Sequence, residues 1–349
     1  MPTIDLITPT APIATPTHGG RAKCLQRLVR LDLPVPSTVA LSFEMVKSIA
    51  AGLKPDLDAI LNQFSPDDIL CVRPSSESAD WGGPSAILNI GMNDARYVEL
   101  SDTLGQEAAV DLYLRFVQSY SINMARLDPD AFEHIEGQDQ AALAAALHAY
   151  SDETGEEFPQ RISDQLREVL RSMSRAWEGT TARLLREAKG APADAGLGLV
   201  VQKMAFGIGQ GESGSGVLQL VDGNTGEECI MGRYARQSQG RDALEQHRKA
   251  LFLAHDPRGP SLQDSEPEIF AKLVEQAMLM RHRLREEMQI EFTVQNGELF
   301  ILDGVRVNRR ANAAMRIAVK LAEDGIIPQQ EALMRIDPRA LGELLHRQI

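Results

Sequence analysis

The chain has 349 residues, of which 43% are hydrophobic and 24% are charged, and its formal net charge is −13. These values are ordinary for a globular protein that is long enough for two or three subdomains. The acidic balance argues against a protein that binds the phosphate backbone of nucleic acids, although a local pocket of arginines can still bind a nucleotide.

Cysteine usage and hydropathy predict a cytoplasmic protein without a membrane partner. Cys24, Cys71 and Cys229 are far apart and lack metal or redox spacing, so they are expected to be buried thiols in a reducing compartment. The start of the chain, 1–17, is rich in Pro and Thr and has no signal-peptide pattern. No apolar run approaches the roughly 18 residues that a membrane span needs.

The first hundred residues predict an α+β subdomain, 18–100, behind a loose leader, 1–17. Apolar residues at helical spacing follow Gly19-Gly20-Arg21, and the prolines of Leu33-Pro34-Val35-Pro36 end that helix. Further elements are predicted as a strand at 38–42, a helix at 43–53, and strands at 69–73 and 87–90 that flank a Ser- and Gly-rich loop, 74–85.

The remainder predicts a helical insert, 101–190, and a second α+β subdomain, 191–349. In the insert, apolar residues recur every 3.6 positions at 108–124, 140–150 and 162–187. The second subdomain is predicted to contain strands at 197–206 and 217–221 around a glycine-rich turn, 207–216, then a long helix, 269–287, and closing helices at 312–322 and 329–345.

A predicted hairpin, 289–303, carries acidic residues near the strand ends. Asn296-Gly297 is a strong turn signal between two apolar runs. Glu291 and Asp303 lie on different strands, and a pair of carboxylates across a ladder suits Mg²⁺, which takes one or two carboxylates and fills its other positions with phosphate oxygens and water. The alternative is a solvated hairpin with charged edges.

Eight motifs occur in order and carry a family resemblance. They are Gly19-Gly20-Arg21 with Leu33-Pro34-Val35-Pro36; Val72-Arg73 with Leu88-Asn89-Ile90-Gly91-Met92-Asn93-Asp94; Arg115-Phe116-Val117-Gln118-Ser119-Tyr120; Gln202-Lys203-Met204-Ala205-Phe206-Gly207; Ser213-Gly214-Ser215-Gly216-Val217; Thr225-Gly226-Glu227; Gln239-Gly240; and Ile290-Glu291-Phe292-Thr293. Together they resemble the nucleotide-binding domain of pyruvate, phosphate dikinase from about residue 18 onward. The related phosphoenolpyruvate synthase is the second resemblance.

The resemblance implies an ATP-grasp-like fold, in which two α+β subdomains clamp ATP in a cleft and a helical insert leans over it. In the family this domain uses ATP to phosphorylate a histidine of a separate domain, and a barrel domain then moves the phosphate to pyruvate. Neither later domain is recognised in this sequence, and its seven histidines lack the Thr-Ser-His context of the carrier. The sequence is therefore expected to need a phosphohistidine-carrier partner or a small acceptor.

Site residues are predicted partly from their position and partly from the resemblance. Arg73 follows a buried strand, where its guanidinium could hold phosphate oxygens bidentately, or could form a surface ion pair instead. The resemblance implies ATP and Mg²⁺ as cofactors and assigns roles as follows: Arg73 and Glu291 catalytic; Glu291 and Asp303 metal ligands; Arg21, Arg73, Arg115, Gln202, Lys203, Met204, Glu291, Asp303 and Arg306 binding the nucleotide and its metal. Asp303 replaces a glutamine of the family, and Met204 could equally be plain core.

Several positions depart from the family pattern. The leading lysine of the family is Arg21, and acidic residues of the family are Gln289, Arg233 and Arg241 here. Arginines of the family are Val221 and Val305, with Arg306 as a neighbour that could compensate. Because phosphoryl transfer depends on positioning and charge neutralisation, such losses should reduce catalysis heavily.

Three hypotheses follow for the function. The first is an ATP-dependent phosphotransferase that acts on a histidine of a partner protein or on a small acceptor. The second is a catalytically silent nucleotide-binding regulatory paralogue. It is motivated by the departures from the family pattern at Arg233, Gln289, Val305 and Val221. The third is an assembly subunit with an empty pocket.

Overall fold

The computed structural model describes residues 2–133, 135, 139–239 and 250–336. The chain divides into two compact units, each with its own sheet. One comprises the described residues of 1–31 and 35–205, and the other those of 32–34 and 206–349. Both sheets pair antiparallel throughout, so the chain is an α+β protein, as predicted.

The first unit has a five-stranded sheet in the order β1-β2-β5-β3-β4. The strands are Ile4–Leu6 (β1), Thr38–Leu41 (β2), Leu70–Ser76 (β3), Ile87–Ile90 (β4) and Leu197–Lys203 (β5). Strand β5 is buried from Leu197 to Gln202, because β2 and β3 flank it on both edges. Its nearly continuous apolar run is typical of such a central strand.

Helices make up most of the rest of the first unit. They are Thr15–Arg30 (α1), Phe43–Ala50 (α2), Leu57–Leu61 (α3), Asp94–Leu104 (α4), Gln106–Asn123 (α5), Asp130–Glu133 (α6), Gln140–Thr154 (α7), Ile162–Glu178 (α8) and Thr180–Ala188 (α9), with a short 3₁₀ helix at Ala79–Trp81. Several begin at an N-cap side chain that accepts a backbone N–H three residues on, namely Ser42, Asp56, Asn93 and Asp139.

Four local predictions differ from the structure, one being that Cys229, expected to be a buried thiol, is exposed. The helix expected at 162–187 is two helices, because Gly179 adopts an extended conformation between α8 and α9. Helix α4 was not predicted. The segment expected to be a loose leader is packed: β1 pairs with β2, Ile7 and Ile13 are buried, and Gln26 of α1 donates to the Thr8 and Ala11 carbonyls.

The second unit has a five-stranded sheet in the order β10-β9-β6-β7-β8. Its strands are Gly214–Val221 (β6), Glu228–Arg236 (β7), Leu251–Phe252 (β8), Met288–Gln295 (β9) and Glu298–Arg306 (β10). Its described helices are Leu262–Ser265 (α10), Pro267–Leu284 (α11), Ala311–Glu323 (α12) and Gln329–Met334 (α13). The closing helix predicted at 329–345 is described only as far as α13, and its last residues lie outside the described part.

The two faces of this second sheet differ in chemistry. Leu218, Tyr234, Ile290 and Phe292 share one face and are fully buried, with the Tyr234 and Phe292 rings stacked. Helix α11 packs against β6, β9 and β10 and buries Leu273, Ala277 and Met280. Alternation along the strands directs Val217, Arg233 and Glu291 to the opposite face, where all three are partly exposed. The candidate carboxylate pair therefore lies on the face opposite the apolar one, where Glu291 is partly exposed and Asp303 is buried.

No helix in the ranges described above is long and apolar enough to cross a membrane.

Candidate functional site

In the first unit, the segment Gly19-Gly20-Arg21 is fixed onto the end of strand β3. Helix α1 is interrupted at Gly19, whose φ of 86° and ψ of 171° are not helical. A Cβ at this position would collide with the Ser75 carbonyl oxygen, so glycine is required by close approach as well as by conformation. The Ala22 N–H donates to Ser75 Oγ at 3.0 Å, and that hydroxyl donates to the His18 carbonyl at 2.7 Å.

Two arginines meet at this end of β3. Arg21 donates from its guanidinium to the Pro74 carbonyl, and Arg73 is 9% exposed on β3 itself. Both lie near Cys71: burial raises the pKa of the Cys71 thiol to about 11, and the charges of Arg73 and Arg21 oppose that rise. The strand end therefore has local positive charge on an acidic protein. The loop beyond it contains Glu77 and Asp80, two exposed carboxylates that reduce this charge.

The segment predicted to bind adenine lies at the end of β5, and much of its hydrogen-bonding capacity is used within the unit. The buried Gln202 side chain donates to Thr38 Oγ1 at 2.9 Å. Lys203 pairs with Asp68 at 2.8 Å. The N–H groups of Lys203 and Met204 donate to the Ser37 and Ile69 carbonyls, and Met204 is buried.

Arg115 lies on α5, where it pairs with Asp111 one turn earlier at 2.8 Å. Its side chain is 42% exposed. The contact is an i,i+4 ion pair of the kind that stabilises a helix weakly.

In the second unit, the predicted hairpin is present, and a β-bulge brings its two carboxylates together. Asn296 and Gly297 both have positive φ, as a two-residue type I′ turn requires. Regular pairing from that turn would place Leu302 opposite Glu291. A register shift between Ile301 and Asp303 places Asp303 there instead. Asp303 is fully buried and accepts the Gly304 N–H at 2.9 Å, whereas Glu291 is partly exposed.

The donor set suits a hard cation. Two carboxylates on adjacent strands can supply the one or two oxygen ligands that Mg²⁺ takes from a protein when phosphate and water complete its shell. Within the described ranges, His, Cys, Asp and Glu form no group of three or more arranged for a metal ion. The pair therefore suits a metal that is shared with a phosphate ligand better than a closed structural site.

Arg233 lies in the same cross-strand row as Glu291, and its side chain packs against the ring of Phe252. Glu291 is paired with Val217, which is paired with Arg233, which is paired with Phe252. The Arg233 guanidinium lies 3.6 Å from the centre of the Phe252 ring, and that of Arg258 lies 4.9 Å from it. Arg258 forms a bidentate pair with Asp256 and, with Arg233 nearby, lowers the pKa of that carboxyl to about 2.

Two other departures lie beside the carboxylate pair. Gln289 is two residues before Glu291 and faces the same side of the sheet; its Oε1 accepts the Gln219 Nε2 at 2.6 Å. Val305 is paired with Gln289 on β10. Neutral residues therefore occupy the row next to Glu291 and Asp303. Val221, in contrast, is buried in a separate apolar cluster with Val307, and Arg241 lies outside the described residues.

Arg306 is one of three arginines whose side chains lie near the Glu286 carboxylate. It follows Val305, so alternation turns it away from the face that carries Glu291. Glu286 is 3.1 Å from Arg306 Nε, forms a bidentate pair with Arg309 and lies 3.5 Å from Arg335. Arg309 and Glu286 are mostly buried, which makes this network a structural feature of the unit.

Sequence reasoning placed Ser75 in a loop that offers hydroxyls to phosphate, but it did not find the contacts of Ser75 with α1, the role of His18 or the bulge at Leu302. The only sequence signal for Ser75 is its place in a Ser-rich loop after a strand. The sequence signal for His18 is its position as a polar residue directly before Gly19-Gly20, where α1 turns towards the sheet.

The structure thus defines an α+β protein whose first unit holds two arginines beside a glycine-dependent segment, and whose second unit holds a carboxylate pair. No family model matches the chain. The chain is related to the amino-terminal part of pyruvate, phosphate dikinase. It is 31% identical over 370 residues to the protein of that name from Rickettsia typhi, covering 95% of this chain and 42% of the relative. It is also 30% identical over 365 residues to that of Clostridium symbiosum, covering 94% and 41% respectively.

A plant relative has the same relationship to the chain. Pyruvate, phosphate dikinase 2 of Oryza sativa subsp. japonica is 27% identical over 364 residues, covering 95% of this chain and 40% of the relative. The chain therefore spans about 42% of the length of the first curated relatives it matches.

Proposed function

We propose that this chain binds Mg·ATP with an ATP-grasp-like arrangement and transfers a phosphoryl group to a histidine of a separate partner protein or to a small acceptor. The observation that carries the proposal is the similarity to pyruvate, phosphate dikinases across 95% of the chain. The arginines at the end of β3 and the carboxylate pair on β9 and β10 support it. The proposed subdomains are 18–100, 101–190 and 191–349, although strand β5 of the last range belongs to the sheet of the first unit.

Each proposed role follows from the chemistry of the side chain. Arg21 and Arg73 hold phosphate oxygens, since a guanidinium fork matches phosphate geometry. Glu291 and Asp303 hold Mg²⁺, which when bound neutralises phosphate charge and orients the transferred group. The strand end at Gln202, Lys203 and Met204 contacts the adenine. Arg115 and Arg306 stand as weaker candidates for nucleotide contacts, because each already pairs with a carboxylate.

Binding is tested by titration calorimetry of ATP with and without Mg²⁺. Glu291→Gln should weaken Mg·ATP binding at least tenfold, which corresponds to about 1.4 kcal/mol, and should leave Mg-free ATP binding nearly unchanged. Glu298→Gln is the matched control, because Glu298 lies on the same hairpin at its exposed turn end. Failure of the folded wild-type chain to bind any adenine nucleotide would refute the proposal.

Transfer is tested with Mg·ATP and candidate histidine-carrier proteins. The products followed are phosphohistidine together with ADP, if one phosphoryl group is transferred, or together with AMP and inorganic phosphate, if a second phosphate is released to water. Product formation that Arg73→Ala and Glu291→Gln both abolish is the expected result. If the chain binds Mg·ATP but yields none of these products with any carrier, the transfer part of the proposal fails while the binding part stands.

A catalytically silent nucleotide-binding paralogue is the second candidate, and specific contacts favour it. Gln289 bonds to Gln219 and Val305 adjoins it, so neutral residues flank the carboxylate pair. Arg233 adds a positive charge to the face that carries Glu291, where a metal ion would need negative charge. Loss of a single electrostatic donor typically costs about 10²–10³ in rate. Wild-type turnover that Glu291→Gln abolishes would exclude this candidate.

A further inference from the structure

His18 is a buried polar side chain that connects the start of the chain to the segment carrying Arg21. It is 4% exposed, and its Nε2 lies 3.2 Å from Asp5 Oδ2 and 3.2 Å from Thr3 Oγ1. Its Nδ1 lies 2.9 Å from Thr17 Oγ1. Asp5 is the charged group in contact with the imidazole, and the other contacts are neutral hydroxyls.

Asp5 is itself held firmly by the sheet. It belongs to β1 and is paired with Ala40 of β2. Before it, the Thr3 N–H donates to Ser42 Oγ at 2.9 Å; after it, the Ile7 N–H donates to the Thr38 carbonyl at 2.8 Å. The His18–Asp5 contact therefore links α1 to a fixed strand.

The main chain of His18 continues this link into the candidate phosphate segment. Its carbonyl accepts the Ser75 hydroxyl, and Ser75 Oγ accepts the Ala22 N–H, so two hydrogen bonds enclose Gly19, Gly20 and Arg21. A Cβ on Gly198 of β5 would collide with the same His18 carbonyl, which shows how closely this turn lies on the sheet. The direction of Arg21 thus depends on where His18 is held.

We propose that His18 and Asp5 form a positioning pair that sets the Gly19–Arg21 segment for binding of the nucleotide phosphates. The proposal rests on the proposed function. His18 need not touch the ligand; it acts through Gly19 and Arg21.

Because His18 is proposed to act by positioning Arg21, the affinity for Mg·ATP is the quantity that tests it. Replacing both members of a buried polar pair with apolar residues is often neutral or stabilising, whereas removing one member alone is destabilising. The Asp5 side chain is 20% exposed and can turn to water when His18 is replaced, so His18→Leu is expected to fold with reduced stability. Affinity is therefore measured under conditions in which circular dichroism shows the variant to be folded, and it should fall there because Leu cannot hold Asp5.

Four variants separate hydrogen bonding from packing. The amide of Gln can reproduce a donor at the Nε2 position, and that of Asn can reproduce only one at the Nδ1 position. We expect His18→Gln to keep Mg·ATP affinity within about twofold, and His18→Leu, His18→Asn and Asp5→Asn each to weaken it about fivefold or more. AMP affinity should change less, because AMP lacks the outer phosphates.

His148 provides the matched control. It forms an exposed i,i+4 pair with Asp152 at 2.7 Å, far from this segment in sequence and outside every proposed role. His148→Leu and Asp152→Asn should leave Mg·ATP affinity unchanged. Equal losses in these variants and in His18→Leu would overturn the proposal, as would full affinity in His18→Leu.

Hydrogen–deuterium exchange separates failure of this inference from failure of the proposed function. In nucleotide-free protein, His18→Leu should speed exchange at the Ala22 amide and in peptides covering residues 2–8 and 18–24, but not in the second unit. If the wild-type chain binds no nucleotide, the proposed function fails, and the exchange result alone still decides whether His18 holds the segment. Unchanged exchange in His18→Leu would overturn the positioning role.

Discussion

Gly19 combines two requirements at one position: a backbone conformation with φ of 86° and direct contact with the Ser75 carbonyl. Either requirement alone selects for glycine, since a positive φ strains most side chains and a Cβ would need the space of the carbonyl. The contact with Ser75 is the requirement that holds the segment on β3. A Cβ at position 19 would collide with the Ser75 carbonyl, and the collision could be relieved only by moving Gly19 away from Ser75.

Gly19→Ala should therefore destabilise the first unit and weaken Mg·ATP binding together. Strain and overpacking each contribute on the order of 1–3 kcal/mol. Urea unfolding followed by tryptophan fluorescence measures this, because Trp81 and Trp177, the only two tryptophans, both belong to the first unit. Gly190→Ala is the control, since Gly190 has a φ of 83° but no atom near its missing Cβ. Equal losses in the two variants would contradict the role of the Ser75 contact.

Glu286 is a second position where one side chain supports several others. Three arginines converge on it, and Arg309 in particular is 8% exposed. The guanidinium of Arg309 would lose its bidentate partner if the carboxylate were removed.

Glu286→Gln should lower the free energy of unfolding of the second unit by about 3 kcal/mol, because it leaves a buried charge without its partner. The second unit contains no tryptophan, so its unfolding is followed as the part of the circular dichroism transition in urea that tryptophan fluorescence does not share. Glu227→Gln should cost less than about 1 kcal/mol, since Glu227 is exposed and lies 3.5 Å from Arg316. A similar cost for both variants would show that the network around Glu286 contributes little.

At the scale of elements, the hairpin shows what the sequence can and cannot predict. Asn296-Gly297 between apolar runs predicts both strands and the turn, and the structure confirms them. The pairing of Asp303 with Glu291 depends on one extra residue at Leu302, and no pattern in the sequence marks that bulge. Strict alternation would have turned Asp303 to the apolar face.

Helices α8 and α9 also show where prediction from the sequence succeeds and where it fails. The apolar period of 162–187 predicts helix correctly but hides the break at Gly179. In α9 the expected faces are reversed: Arg186 is buried with its guanidinium 3.6 Å from the centre of the Trp177 ring, and Leu184 and Leu185 are each 60% exposed. Periodicity locates a helix, but a single aromatic partner decides which side faces inward.

The sheet face of the second unit permits a gain-of-function prediction. Gln289→Glu places a third carboxylate beside Glu291 and Asp303, where the Gln219 amide can still donate to it. Affinity for Mg·ATP should rise about tenfold, or about 1.4 kcal/mol, because the added carboxylate can ligate or attract the cation. Calorimetry at fixed ATP and varied Mg²⁺ measures the change. Gln219→Glu, one strand farther from Asp303, should give a smaller gain; unchanged affinity in Gln289→Glu would argue against a metal at this face.

At the scale of the whole molecule, bound nucleotide should stabilise the fold by mass action. At a ligand concentration 100 times its dissociation constant, the folded state gains about 2.7 kcal/mol. A rise in the thermal transition with Mg·ATP, absent in Arg73→Ala, is the expected result of a thermal shift assay. No shift for any adenine nucleotide would favour the assembly-subunit hypothesis.

Acid should destabilise both units. Hydrogen bonds from Arg167, Arg258 and Arg335 lower the pKa values of Asp164, Asp256 and Glu331 respectively, that of Asp256 to about 2. Such carboxylates bind more protons when unfolded, so their contribution is present above the unfolded pKa and is lost as pH falls through the folded value. Burial raises the pKa of Glu287, which partly offsets this trend.

The urea midpoint should therefore fall between about pH 5 and pH 2. Asp256→Asn should make that decline shallower, because it removes the carboxyl whose pKa Arg258 lowers to about 2. A midpoint that stays constant over this interval would contradict the assignment of these ion pairs to the folded state.

The assignment of residues 32–34 to the second unit has a practical consequence for dissecting the protein. The Ile301 N–H of β10 donates to the Pro34 carbonyl at 2.9 Å, although the two residues are far apart in sequence. Separate expression after Ala205 would deprive the later fragment of that acceptor, at the strand that precedes Leu302 and Asp303. A circularly rearranged gene that carries residues 32–34 with the later fragment, or the tripeptide added in trans, would return this acceptor to β10.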